Sequence, residues 1–137
     1  MKYLIYHFLI FISSFNSEPA KHVYEPERLN IITNYITTTG KVIFIKEEMD
    51  GDYHIRLKMD NDIIKLIKKN YTKQDSCIVL EIVCAHESLI SKCKCKEYIN
   101  NIKIPKVGSY ITVSGQLVID KRHNWIEIHP VFDWSLF

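Results

Sequence analysis

The stretch HNWIEIHPV, residues 123–131, sets an imidazole, an indole, a carboxylate and a second imidazole at alternate positions. Read with the two-residue period of a strand, His123, Trp125, Glu127 and His129 share one face. Ile126 and Ile128 share the other, and Pro130 ends the run. A second row lies in DYHIRLKM, residues 52–59, where Asp52, His54 and Arg56 alternate with Tyr53, Ile55 and Leu57. If the two polar faces converge, Glu127 and His129, two positions apart on a strand, can grip one metal ion. His54 then completes a zinc-like set. An open fourth position would hold an activated water and give metal-dependent hydrolase chemistry. Without a metal, Glu127 and His129 can serve as general base and acid. The same residue types also suit a structural network, with carboxylates and backbone carbonyls holding the imidazole N–H groups. Trp125 either fills core space or offers a stacking platform for a base or sugar ring. Glu81, the one charge in the apolar run SCIVLEIVC (76–84), is either an edge residue facing solvent or a buried partner of Arg56 or a histidine.

Other catalytic signatures are missing. No nucleophilic Ser or Cys stands in a recognisable elbow, no glycine loop suits a phosphate, and no HExxH occurs. Catalysis is therefore the weakest of these readings. A length of 137 residues, 47% of them hydrophobic and 25% charged, fits one globular domain with a real core. The net charge of +2 is too small to argue by itself for a nucleic-acid or membrane partner.

The opening MKYLIYHFLIFISSFNSEPA has a short positive end at Lys2, an apolar run from Tyr3 to Ile12 broken by His7, then small residues. That is the layout of a signal peptide over residues 1–20, cleaved between Ser14 and Ala20, and the run is too short to span a bilayer comfortably. The expected chain is secreted or extracytoplasmic, and its mature part carries no stable membrane span. Four cysteines, Cys77, Cys84, Cys93 and Cys95, agree with export, where an even count favours disulfides. Three pairings are possible, and Cys93 and Cys95 are too close in sequence to bond each other. A thiolate zinc site lacks the paired C-x2-C knuckles that would support it. Asn70-Tyr71-Thr72 matches a glycosylation sequon, a common chance pattern.

The elements that must position these residues read as strands. Residues 21–30 form a polar lead-in, and from Ile31 the chain becomes β-like. YITTTGKVIFIKEE (35–48) and DYHIRLKM form a hairpin about the Asp-Gly turn in MDGD (49–52). NDIIKLIKKN (61–70) reads as a helical turn or two with Lys65, Lys68 and Lys69 on the wet face. SCIVLEIVC is a central strand, and residues 85–105 are a long connection with room for a short helix. GSYITVSGQLVID (108–120) and HNWIEIHPV form a second hairpin, and the tail FDWSLF packs back through Trp134 and Phe137. Gly40 and Gly115 sit within long strands, where a coiled barrel needs bends. The expectation is an all-β chain with a short helix, a small five-stranded OB-like barrel over residues 31–137.

The motifs TTTGKV, DGDYHI and HNWIEIHPV, with VLEIVC and IPKVGSYITVSG between them, resemble a family of small, often exported microbial proteins of uncharacterised activity. The resemblance covers roughly residues 24–132. Its matches include Gly40, Asp50, Gly51, Asp52, His54, Glu81, Cys84, Cys95, Gly108, Gly115, Asp120, His123, Trp125, Glu127, His129 and Pro130. It implies an OB-type barrel and a Cys84–Cys95 disulfide. Members usually place a cysteine before the TGTV-like strand, where this chain reads NYITTTG, so Cys77 and Cys93 either pair with each other or stay reduced. The resemblance carries no activity. The reading is an exported OB-like binding or structural module, with Asp52, His54, Arg56 and Trp125 lining any site. OB barrels bind oligonucleotides or oligosaccharides on the face of strands 2 and 3, so either, or another small ligand, is the expected partner. Zinc or a similar divalent ion on His54, Glu127 and His129 is the expected cofactor if the hydrolase reading holds.

Overall fold

β-Branched and aromatic residues dominate the segments that pair, and their alternation decides which side chains enter the barrel. The computed structural model describes residues 17–90 and 94–137. The apolar run assigned to a signal peptide lies outside the described residues, as does Cys93. Five strands follow in order: β1 (Leu29–Glu47), β2 (Tyr53–Met59), β3 (Ile78–Ile82), β4 (Tyr110–Asp120) and β5 (Trp125–Leu136). They close on themselves in the order β1-β2-β3-β5-β4, with all pairs antiparallel except β3 with β5. This is the five-stranded OB-like barrel expected from the sequence. Val42, Ile55, Leu57, Leu80, Ile111, Leu117, Ile126 and Ile128 point inward and form the core.

The nineteen-residue β1 serves both neighbours, pairing with β4 through Leu29–Lys41 and with β2 through Gly40–Glu47. A register shift between Val42 and Phe44 turns the strand from one partner to the other. Gly115 does the same work on β4. An added Cβ there would stand 2.4 Å from both Ile128 Cγ2 and the Pro130 carbonyl, so only glycine admits β5 this closely. Gly115→Ala is expected to cost ~2–3 kcal/mol by forcing strand against strand, a loss that thermal denaturation would register.

Four expectations shift. Pro130 does not end the last strand: β5 continues to Leu136. Gly115 pairs with Val131 and Leu117 with Ile128, so Pro130 falls in an irregularity where no ladder donor is required. Trp134 and Phe137 lie in or beside that extension, Trp134 donating its indole N–H to the Lys103 carbonyl at 2.6 Å and Phe137 tilting against Tyr110. The helix starts later than 61–70, as α1 (Lys68–Lys73). Ile64 instead joins the core, which holds the preceding residues out of a helix. Residues 94–97 of the long connection form turns, and no helix occurs among its described residues.

The lead-in is built into the domain. It contains two 3-10 turns, Glu18–His22 and Pro26–Arg28. Val23 is buried against Val83 and Cys84, and His22 stacks on Tyr98 with centroids 4.1 Å apart. Cys84 and Cys95 are disulfide-bonded, and Cys77 is a buried free thiol. No helix among the described residues is long and apolar enough to cross a membrane.

Candidate functional site

The polar parity of β2, β3 and β5 forms the outer face of the barrel, and the structure divides the row of residues 123–129 along its length. His123 is exposed, Trp125 is half-buried, and Glu127 and His129 are 1% and 0% exposed. Period two gives the face but not its cover. Here the cover comes from the N-terminal 3-10 turns and from the 49–52 and 84–90 loops, which are tied together: the Gly51 carbonyl accepts from the N–H groups of Ala85 and His86.

Glu127 sits at the centre of a buried chain. One carboxylate oxygen accepts the Trp125 indole N–H, and the other faces His129 Nδ1 at 2.9 Å. With both oxygens occupied, Glu127 fixes the neighbouring ring as the Nδ1–H tautomer and leaves the Nε2 lone pair open. His129 Nε2 has no hydrogen-bond partner and lies 3.8 Å from Asp52 Oδ2, which also has none. That separation is too long for a hydrogen bond. The other oxygen, Asp52 Oδ1, accepts the Cys84 backbone N–H at 2.9 Å.

Burial raises the Asp52 carboxyl from 3.8 to about 7. Between those values the folded chain holds a proton that the unfolded chain has released. Stability from this group is therefore complete below about pH 4 and is lost as pH rises through about 7. Asp52→Asn keeps an acceptor for Cys84 and removes the titration. It is expected to flatten that decline, read as a smaller difference between urea midpoints at pH 5 and pH 8.

His54 belongs to a second cluster. Its Nδ1 lies 2.8 Å from Glu81 Oε1 and its Nε2 lies 3.1 Å from Gln74 Oε1, which also accepts Arg56 Nε–H at 2.8 Å. Gln74 Oε1 as the common acceptor requires a proton on His54 Nε2. Burial lowers the His54 pKa, the Gln74 bond partly offsetting it, while burial and then the charges of Glu127 and Asp52 hold Glu81 well above the usual carboxylate range. Both directions favour a neutral imidazole accepting at Nδ1 from a protonated Glu81. Glu81 is thus a buried histidine partner, one of the two roles open from the sequence.

The structure does not gather His54, Glu127 and His129 around one ion. Both ring nitrogens of His54 face Glu81 and Gln74, and Glu127 is occupied by Trp125 and His129. Among the described residues, two other groups bring three ligand-type side chains within 4.8 Å, Asp52–Cys84–Cys95 and Asp120–His123–Glu127. The second is already satisfied internally: Asp120 binds Arg28 and the His123 ring, and Glu127 is occupied as described. Asp120 also accepts the backbone N–H groups of Arg122 and His123, which shapes the β4–β5 turn. Burial pushes its carboxyl up, but the Arg28 charge and the His123 bonds outweigh this and leave it below its ordinary value.

Outside the buried half, a groove of about 490 Å³ runs over Phe44, Arg56, Glu81, His123 and Trp125. His123 stacks on Trp125 with centroids 4.5 Å apart, and the Arg56 guanidinium covers Phe44 at 4.4 Å. Its lysine and arginine side chains are each paired: Arg28 with Asp120, Lys46 with Glu48, Arg56 with Asp75 and Arg122 with Glu25. Of the candidates, Asp52, His54, Arg56, Glu81, His123, Trp125 and Glu127 all border this groove, and His129 lies behind it.

Sequence reasoning missed Asn70. It is fully buried, its amide donates to the carbonyls of Cys77 and Ile126 at 3.0 Å, and its oxygen accepts the Ile126 N–H at 2.9 Å. The sequon was the only signal at this position, and the folded chain encloses the amide that a glycan would need. Comparison with protein-family models, with curated proteins and with solved structures finds no match for this chain.

Proposed function

We propose that the chain is an exported OB-like binding module whose groove takes a neutral, hydroxyl-rich ligand such as a short oligosaccharide. One observation carries this reading: the groove joins a stacked Trp125–His123 pair to planar hydrogen-bonding side chains, while its lysines and arginines are already engaged by carboxylates. A phosphate backbone needs cations free to replace counterions, and this groove would have to break ion pairs to supply them. Hydroxyl groups need mixed donors and acceptors, which the Arg56 guanidinium and the exposed His123 ring offer at the groove. Export is supported by the leader-like opening and agrees with the disulfide. The buried half of the row braces β5 itself, Glu127 joining Trp125 to His129 beneath the groove.

Titration with short neutral oligosaccharides and, separately, with single-stranded oligonucleotides, followed by tryptophan fluorescence, tests the proposal. The expected result is a saturable change with a saccharide, unaltered from low to high salt. Oligonucleotide binding that weakens steeply with salt, or no response to any saccharide, would overturn it.

A further inference from the structure

We propose that, once its disulfide is reduced, the chain holds one zinc ion with Cys84, Cys95, Asp52 and His129 as ligands. This does not rest on the groove reading: Asp52 borders the groove, but His129, Cys84 and Cys95 do not line it. Asp52, Cys84 and Cys95 already place three ligand atoms within 4.8 Å of one another. They come from the start of β2, the end of β3 and the loop that follows it. The second observation is a pair of orphans: Asp52 Oδ2 and His129 Nε2, on residues 2% and 0% exposed, have no hydrogen-bond partner and face each other at 3.8 Å. Tetrahedral zinc with bonds of about 2.0–2.3 Å sets neighbouring ligand atoms roughly 3.3–3.8 Å apart. Two lone pairs at that spacing suit a shared cation better than each other.

The surrounding groups are those such a site requires. Glu127 occupies His129 Nδ1, which aims and enriches the Nε2 lone pair, as carboxylates do behind zinc-bound histidines. The Cys84 N–H holds Asp52 Oδ1 and leaves Oδ2 as the ligand atom. Gly51, at φ 98°, lets the loop close: a Cβ there would stand 2.9 Å from the His86 carbonyl and 3.3 Å from Cys95 Sγ. The enclosure is that of a structural site without an open coordination position. His129 stands outside the 4.8 Å group, so binding draws its ring towards the sulfurs as they separate.

The chemistry balances with a dithiol as reductant. The dithiol gives two electrons and two protons, the Cys84–Cys95 bond breaks into two thiols, and the dithiol closes to its own disulfide. Zinc then displaces both thiol protons to solvent and binds two thiolates, one carboxylate and one neutral imidazole.

The test uses the full chain, reduced by excess dithiol in the absence of oxygen, with cobalt(II) as a spectroscopic probe and zinc as competitor. One equivalent of cobalt is expected to produce thiolate-to-metal charge transfer and the visible bands of tetrahedral cobalt, both erased by zinc. Cys84→Ser or Cys95→Ser should abolish the charge transfer, whereas Cys77→Ser should leave it intact. Asp52→Asn and His129→Gln should each weaken cobalt binding at least tenfold. Because a variant can fail to fold, alkylation of the wild-type chain gives an independent reading: zinc should protect Cys84 and Cys95 together. The proposal is overturned if the reduced chain shows no thiolate–cobalt band, if the band survives Cys84→Ser, or if zinc leaves both thiols open to alkylation. Undiminished affinity in folded Asp52→Asn and His129→Gln chains would overturn the four-ligand site.

Discussion

Asn70→Ala is expected to destabilise the domain by ~3–5 kcal/mol, because it strands three buried backbone groups at once. Asn70 binds the Cys77 carbonyl before β3 and both backbone groups of Ile126 on β5, across fifty-six positions of sequence. β3 and β5 are parallel neighbours joined through few paired residues, Val79 with Glu127 and Leu80 with Ile128. The Asn70 amide extends that short ladder from within α1. Alanine preserves the helix and removes the clamp, so the loss should appear as a fall of roughly 10–20 °C in melting temperature. Asn70→Asp keeps the acceptor but sets a carboxylate against two carbonyls, so it should fare no better. A melting temperature unchanged by Asn70→Ala would show that the β3–β5 seam holds without the clamp.

Replacing Glu127 should separate a structural carboxylate from a dispensable one. Glu127→Ala leaves the Trp125 indole N–H and the His129 Nδ1–H without acceptors in a buried site, with an expected cost of ~3–5 kcal/mol. Glu127→Gln behaves differently. Its amide oxygen can still accept from Trp125, while its NH2 faces His129 Nδ1 as a donor. The ring can answer by moving its proton to Nε2, where it points at the vacant Asp52 Oδ2. The glutamine variant should therefore cost clearly less than the alanine one. Nitrogen chemical shifts of His129 should report Nδ1–H in the wild type and Nε2–H in Glu127→Gln. Equal losses in both variants, or an unchanged tautomer, would contradict the arrangement drawn around His129.

What the sequence made legible, and what it hid, follows from the range of each interaction. Alternation through Ile55 and Leu57 and through Ile126 and Ile128 located the strands and their inner faces, because period two is local and the core is apolar. The two hairpins and the glycines at bends led to the strand order. Pro130 misled, since proline is a stop signal unless a bulge relieves its missing donor, and the extra residues of β5 around Pro130 are defined only by the pairing with β4 across the ladder. The polar row was legible as a row, but its burial was not. Covering loops arrive from residues 18–28, 49–52 and 84–90, and nothing within HNWIEIHPV encodes their approach. His54 and Glu81 were visible as candidates, yet their mutual bond depends on the β2–β3 register, which pairs them directly. Asn70 was visible only as a sequon and its clamp was hidden, because an asparagine ending a lysine-rich segment reads as a wet helix end. The Cys84–Cys95 bond came from the family resemblance, while spacing alone left the pairing open.

We propose that the outer half of this row, with Arg56, receives a ligand while the inner half holds the fold. Heteronuclear NMR of the chain during titration with a short neutral oligosaccharide addresses it most directly, since indole, guanidinium and imidazole groups report separately. The Trp125 Nε1–H, Arg56 Nε–H and His123 signals are expected to move together and saturate, with the His129 ring and the Asn70 amide unmoved. Shifts confined to another surface, or a set in which Trp125 and Arg56 stay still while the saccharide binds, would contradict it.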